Sequence, residues 1–308
     1  MIEVPIILPK GLPTSEVLKK EQVIIFNQQR ARKQDIRPLR IAIVNLMPQK
    51  EITEIQLLRL LSQTPLQIEV DFIRMTTYES QNTDKAYLDK FYKTFDSIKE
   101  TYYDGLIITG APVETLAFEE VLYWQELKKI MAWSKNHCFS TFHICWGAQA
   151  ALYFHYGINK ILYTEKLSGI YLQQIKEKHP LTRGLSDEIT YPQSRYTGID
   201  AAQLAQTSLK VLASSEEIGP TIIAKGNIRE VYVLGHLEYD TDTLKNEYLR
   251  DQAKNLNPQV PKNYFKDDCP TKPITNCWRG VASLVFANWI NELYQETPYQ
   301  FISIENQQ

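Results

Sequence analysis

Cys138-Phe139-Ser140-Thr141-Phe142-His143-Ile144-Cys145-Trp146-Gly147-Ala148-Gln149 is the stretch from which the fold can be read. Its first seven residues form an apolar-rich, aromatic run of strand type, and residues 148–156 have helical composition. A strand that turns sharply into a helix, with a nucleophile at the corner, is the layout of a nucleophile elbow. There the side chain stands above the sheet, and the first N–H groups of the helix are open to an anion. A lone cysteine at a strand end is more often a small buried apolar residue, so the surroundings of Cys145 decide. Gly147 and Gln149 follow it, and further along Gly235-His236-Leu237-Glu238 follows the apolar strand Glu230-Val231-Tyr232-Val233-Leu234. A thiol, an imidazole and a carboxylate at strand ends point to Cys145 as nucleophile, His236 as general base and Glu238 as its orienting partner. A helix N-terminus and a nearby imidazole would both favour the reactive thiolate. His143, two residues before Cys145 on the strand, is a further candidate neighbour of the site.

Working outward, Leu39-Arg40-Ile41-Ala42-Ile43-Val44-Asn45-Leu46 is expected to be a buried strand. Ile52, Ile55, Leu58 and Leu61 then recur at helical spacing, and Pro65 marks the end. Leu66-Gln67-Ile68-Glu69-Val70-Asp71-Phe72 alternates as a half-buried strand does. After a polar stretch, Gly105-Leu106-Ile107-Ile108 gives a third strand, followed by Thr109-Gly110-Ala111-Pro112. Val121, Trp124, Leu127 and Met131 form a core-facing helical stripe. Alternating strands and helices predict an α/β fold with a mostly parallel sheet flanked by helices. Ligands of such sheets bind beyond the carboxyl ends of the strands, where residues 45–50, 110–112, Cys145 and His236 all fall. Residues 157–207, with Gly184, Pro180 and Pro192, read as an irregular, substrate-facing excursion. Residues 209–213 and 221–224 read as strands, Gly226-Asn227 as a hairpin turn into the His236 strand, and 241–255 and 281–294 as helices. The simplest organisation is an arm over residues 1–36, with a short helix over 15–32, one domain with insertions over 37–299, and a tail over 300–308.

The chain has 308 residues, enough to bury a sizeable core without disulfides or metal. Apolar residues make up 44% and charged residues 23%, as in an ordinary globular protein. A net charge of −2 with scattered Lys and Arg argues against nucleic acid as a partner. No apolar run is long enough to span a membrane, and residues 1–5 do not start a signal peptide. The four cysteines show no CxxC spacing, which argues against a zinc site or any other metal and fits a reduced, cytoplasmic protein.

Longer motifs now carry a resemblance. The Cys-x-Gly and His-x-Glu elements resemble class I glutamine amidotransferase-like (flavodoxin-like) domains. Asn45-Leu46-Met47-Pro48-Gln49-Lys50 with Thr53, Glu54 and Gln56 resembles a signature of the homoserine O-acyltransferases of methionine biosynthesis. The same family is matched by Thr109-Gly110-Ala111-Pro112, Thr164-Glu165-Lys166-Leu167-Ser168-Gly169, Thr182-Arg183-Gly184, Ser194-Arg195-Tyr196, His236-x-Glu238-Tyr239-Asp240 and Asn263-Tyr264-Phe265. The resemblance runs from about residue 37 to residue 299.

It implies an acyl-thioester on Cys145, proton transfer by His236 with Glu238, and contacts to the amino-acid substrate from Lys166, Ser194 and Arg250. Position 114 of the family separates acyl donors, and Glu114 implies acetyl-CoA in place of succinyl-CoA. A carboxylate there would repel and crowd the free carboxylate of a succinyl group. The expected activity is therefore acetyl transfer from acetyl-CoA to the hydroxyl of L-homoserine, with ping-pong kinetics, no cofactor and a homodimeric assembly. The alternatives are a succinyl-CoA donor or L-serine as acceptor, since one methylene discriminates poorly. A glutamine amidotransferase subunit would share the Cys-His-Glu set but not Lys166, Ser194 and Arg250. The oxyanion is expected to meet the backbone N–H groups of Trp146 and Leu46, with Lys50 as a further neighbour. The chain departs from the family at Leu237, where Pro is usual, and at Cys277-Trp278-Arg279-Gly280-Val281.

Overall fold

Four neighbouring parallel strands carry the expected site on their carboxyl ends. In the computed structural model, which describes residues 6–8, 11–21, 25–26, 37–78 and 82–298, they are β3 (Leu39–Val44), β6 (Tyr103–Ile108), β7 (Cys138–Ile144) and β12 (Glu230–Val233). They lie at the centre of a 12-stranded sheet. On the β3 side the order continues through β4 (Ile68–Ile73) and β1 (Ile6–Ile7) to β2 (Ile25–Phe26), with β5 (Tyr92–Lys93) also beside β4. On the β12 side it continues through β11 (Gly219–Lys225), β10 (Lys210–Ser215) and β8 (Lys160–Ile175) to β9 (Glu188–Ile199). Every residue of β6 and β7 is buried, as expected where helices cover both faces. On one face lie α1 (Thr14–Lys20), α2 (Lys50–Leu61) and the long C-terminal helix α9 (Arg279–Glu296), through Leu18, Leu58, Phe286, Trp289 and Leu293. The other face is covered by α5 (Trp124–His137) and α6 (Trp146–Tyr156), through Trp124, Leu127, Met131 and Leu152. The two faces thus form separate apolar cores, and the architecture is the α/β type expected.

Several local expectations change. The polar stretch before β6 folds into α3 (Lys85–Phe91), β5 and α4 (Phe95–Ile98). Within α2, Ile52 is 45% exposed while Glu54 is fully buried. Of the expected stripe, Leu58 and Leu61 are buried and Ile55 packs partly buried against the core; only Ile52 faces out, and Thr53, Glu54 and Leu57 are buried in addition. Two tyrosines make this possible: Tyr92 and Tyr87 donate hydroxyl protons to the Glu54 carboxylate at 2.6 and 2.7 Å.

The largest correction concerns residues 157–207. They are not irregular: β8 and β9 pair antiparallel over most of their length and extend the sheet beyond β10 and β11. Pro192, which argued against a strand, is tolerated because β9 is the outermost strand of the order, where a missing N–H breaks no ladder. A shift of register between Leu162 and Leu167 further obscures the alternation. α7 (Ala201–Leu204) closes this unit. The hairpin into β12 forms as expected but with a longer turn, since Lys225 pairs with Glu230 across residues 226–229.

The described part of the expected arm is tied down. β1 pairs parallel with β4, β2 pairs with β1, and α1 places buried Leu18 in the core. The helix expected over 15–32 is shorter than that: it occurs as α1 and ends by Glu21, and Ile25–Phe26 form strand β2 instead; residues 22–24 and 27–32, and the tail over 300–308, lie outside the described residues.

Candidate functional site

The chain turns from β7 into α6 at Cys145, whose backbone sits at φ 51°, ψ −116°. Positive φ is rare and strained for a residue with a Cβ, and it breaks the strand alternation so that Cys145 is re-aimed. Two further features hold the elbow. The Cys145 N–H donates to the Val233 carbonyl at 2.7 Å, joining it to β12. Gln149 exchanges hydrogen bonds with Thr197 (3.0 and 2.7 Å), pinning α6 to β9. A glycine is required close to the nucleophile: a Cβ on Gly147 would lie 2.5 Å from the Thr109 carbonyl oxygen.

His236 follows β12, and its N–H donates to the Pro192 carbonyl at 2.9 Å. Its Nδ1 lies 2.7 Å from Glu238 Oε1, with both side chains nearly buried, and the ring stacks on Tyr239 at 3.9 Å between centroids. Burial disfavours the imidazolium. The charges of a Cys145 thiolate and of Glu238, each also hydrogen-bonded to the ring, outweigh it and raise the imidazole well above its ordinary value. A protonated His236, oriented by the Glu238 carboxylate, would favour the thiolate that a cysteine nucleophile needs. Leu237, in place of the family's proline, is buried in the core beneath. Trp278 of the second departing segment donates its indole N–H to the Tyr239 carbonyl at 2.8 Å, bracing the same loop.

Cys145 and His236 open onto a cleft of about 860 Å³, its mouth included, whose lining also contains Glu114, Lys166, Ser194 and Arg250. Glu114 is half-buried; burial pushes its carboxyl up, while the charges of Lys166 and His236 oppose that. The cleft adds a residue that sequence reasoning missed. Glu247, on α8 (Thr243–Ala253), accepts from Lys166 Nζ at 3.2 Å, from Tyr239 at 2.8 Å and from the Ser194 hydroxyl. Burial works against its charge, but Lys166, Ser194 and Tyr239 more than offset this and hold the carboxyl below its usual range. Asp251, one turn on, is 3.2 Å from Lys166 and 2.8 Å from Arg250 Nε. The only signal in the sequence was that Glu247, Arg250 and Asp251 share one face of a helix at i, i+3 and i+4.

Three expectations need revision. The Leu46 N–H donates to Thr109 Oγ1 at 2.8 Å, so it is already engaged and is not a free oxyanion donor. His143 does not line the cleft: it is fully buried, its Nδ1 lies 3.1 Å from the Val231 carbonyl oxygen, and its ring stacks on Tyr232. Burial lowers its imidazole to about 4. It belongs to the core under α6 because the turn at Cys145 separates the two directions. Lys50 is buried with its Nζ 2.5 Å from the Asn45 carbonyl, and lines a neighbouring cavity. Burial brings its ammonium down to about 8. Trp146 opens α6, so its N–H lies in the turn that lacks intrahelical acceptors.

Comparison with known proteins agrees with this geometry. A family model described as homoserine O-succinyltransferase matches residues 5–299. The chain is 52% identical over 302 residues to a protein of Methanomassiliicoccus intestinalis named homoserine O-acetyltransferase, covering 97% of this chain and 99% of that one. It is 51% identical over 305 residues to a Streptococcus mutans protein of the same name, covering 98% and 97%. Among solved structures, a glutamine amidotransferase of Thermotoga maritima matches with TM-score 0.57 at 11% identity, over 85% of this chain and 100% of that one. One from Methylobacillus flagellatus matches with TM-score 0.52 at 13% identity, over 86% and 99%. At those identities the likeness concerns the fold.

Proposed function

Because the chain belongs to the homoserine O-acyltransferase family, we propose that it is an L-homoserine O-acetyltransferase acting through a Cys145 thioester. The observation that carries the chemistry is the buried Cys145–His236–Glu238 array at the mouth of a cleft that also holds Glu114 and Glu247. The thiolate of Cys145 attacks the thioester carbonyl of acetyl-CoA. The tetrahedral adduct collapses, the sulfur of CoA leaves, and it takes the proton of His236. The exchange of one thioester for another is nearly isoenergetic, which suits a thiol. L-Homoserine then enters, its hydroxyl gives its proton to His236, and its oxygen attacks the acetyl group. Cys145 leaves as thiolate and the imidazolium is restored. Both tetrahedral oxyanions are met by the Trp146 N–H. With Leu46 engaged, the Gly110–Ala111 turn is the second source of donors: a Cβ on Gly110 would lie 3.2 Å from the Cys145 Cβ.

The acceptor is held across the cleft. Its ammonium suits the Glu247 carboxylate and its carboxylate suits Arg250 or Lys166. The acyl donor is the finer part of the proposal, since the family model bears the succinyl name and the relatives the acetyl name. Glu114 in the cleft supports acetyl, by charge and by bulk. The reading needs no cofactor. A homodimer and a cytoplasmic location belong to the same proposal; no helix among the described residues is long and apolar enough to cross a membrane. The test is acyl transfer to L-homoserine with acetyl-CoA and succinyl-CoA in parallel, identifying the ester by mass. Turnover with acetyl-CoA upholds the reading; preference for succinyl-CoA overturns the donor assignment, and turnover with neither overturns the whole.

A further inference from the structure

We propose that the cavity between the Asn45–Lys50 segment and the loop after β6 receives the pantetheine arm of the acyl-CoA donor, on the opposite side of Cys145 from the amino-acid subsite. The inference rests on the acyltransferase reading above and deepens it. Two clefts flank the catalytic one. Each shares part of its lining with it, so each adjoins the cleft onto which Cys145 opens. The polar one shares Lys166, Tyr196 and Asp251 with the catalytic cleft, and Lys166 and Asp251 belong to the charged cluster around Glu247. An acceptor amino acid matches that cluster. A long chain of methylenes and amides does not.

The other shares Met47, Pro48 and Pro112, and is a cavity of about 830 Å³ with its mouth. The loop after β6 forms the partition: Glu114 and Thr115 face the catalytic cleft, while Val113 and Leu116 line the neighbouring cavity. Three large apolar side chains on this cavity are left in water: Leu122 at 76%, Leu116 at 42% and Tyr78 at 41% exposure. Such a cluster at the mouth of a cleft marks a surface that something covers. The cavity also offers a polar anchor. The buried Nε–H of Arg74 has no acceptor among the described residues, although its guanidinium pairs with Asp89 at 2.7 Å. An orphaned buried donor calls for an acceptor, and a pantetheine amide carbonyl is one. The pantetheine arm threads past Met47 and Pro112, with its thioester at Cys145 and its amides against Arg74.

The experiment compares wild type with Leu116→Asp/Leu122→Asp, both at exposed positions where the fold loses little. One readout is the dissociation constant of CoA itself by calorimetry. The other is the ratio of kcat/KM for acetyl-CoA to that for S-acetyl-N-acetylcysteamine, a donor that lacks most of the arm. Damage to Cys145 or the acceptor subsite lowers both values alike, so the ratio is blind to it. The expected result is weaker CoA binding and a fall of the ratio by about tenfold, the scale set by one leucine side chain no longer buried against the ligand. An unchanged dissociation constant and ratio overturns the proposal. So does a fall for Gln259→Glu in the polar cleft with none for the leucine pair. If wild type binds CoA in a leucine-dependent way yet never acetylates homoserine, the cavity assignment stands and the acetyltransferase reading falls.

Discussion

Replacing Glu238 with glutamine removes one charge and little else. The amide oxygen of the introduced side chain can still accept from His236 Nδ1, so the 2.7 Å contact can survive while its ionic character is lost. Both partners are nearly buried, at 3% and 6% side-chain exposure, so water does not replace what the carboxylate supplied. A hydrogen bond to a charged group contributes about 1.5–3 kcal/mol, against roughly 1 kcal/mol for a neutral one. The difference, about 1–2 kcal/mol, weighs against the imidazolium and hence against the thiolate–imidazolium pair. At about 1.4 kcal/mol per factor of ten, the pair becomes roughly 5- to 30-fold less populated near neutral pH. The assay is alkylation of Cys145 by iodoacetamide without substrate, since its rate follows the thiolate. Glu238→Gln should slow alkylation at pH 7 by that factor, and the deficit should shrink as pH rises and the thiol ionises without help. Equal rates for the two proteins across pH 6–9 would refute the claim that Glu238 holds charge on His236.

Other perturbations probe the remaining parts. Glu114→Gly should raise the use of succinyl-CoA relative to acetyl-CoA by about tenfold or more, because a repelling carboxylate and its bulk both go; an unchanged ratio in parallel assays would make Glu114 structural. Glu247→Gln should raise the KM for homoserine by about tenfold while acyl-enzyme formation from acetyl-CoA proceeds, as expected if an ionic contact to the ammonium is lost; stopped-flow release of CoA separates the two steps. Away from the site, Glu230 is buried at a cost to its charge, yet Lys135, Tyr156 and Tyr232 all donate to it and bring its carboxyl down to about 2. A folded value below the unfolded one of about 4.3 stabilises above the unfolded value and is lost as pH falls toward 2. Glu230→Gln should therefore cost about 2–3 kcal/mol at neutral pH by urea denaturation, with the gap to wild type narrowing below pH 4; a gap that does not change with pH would contradict this.

What could be read from the sequence was what is local in it. Strand ends followed by a chemically special residue assigned Cys145, His236 and Glu238 to one edge, and the parallel strands β3, β6, β7 and β12 bear out that edge. What escaped depends on partners far along the chain. Helical spacing places Ile52 on the buried stripe, yet Ile52 is exposed and Glu54 is buried, because Tyr87 and Tyr92, distant along the chain, donate to its carboxyl group. Glu247 resembled any carboxylate of an amphipathic helix, and only the approach of Lys166 from β8 and Ser194 from β9 gives it the partners on which its proposed binding role rests. The same strands were missed because Pro192 was weighed as a breaker without knowing that β9 is an edge. Leu46 was misjudged for a smaller reason: a hydroxyl from the next strand end takes its N–H.

The central claim is that acetyl passes through Cys145, and the most direct measurement is the mass of the enzyme after incubation with acetyl-CoA and no acceptor. The account predicts a gain of one acetyl group on the peptide that contains Cys145, one equivalent of free CoA, and loss of the label with formation of O-acetyl-L-homoserine when L-homoserine is added. An unlabelled enzyme that still acetylates homoserine, or an acetyl group lodged on another residue and discharged at the catalytic rate, would contradict it.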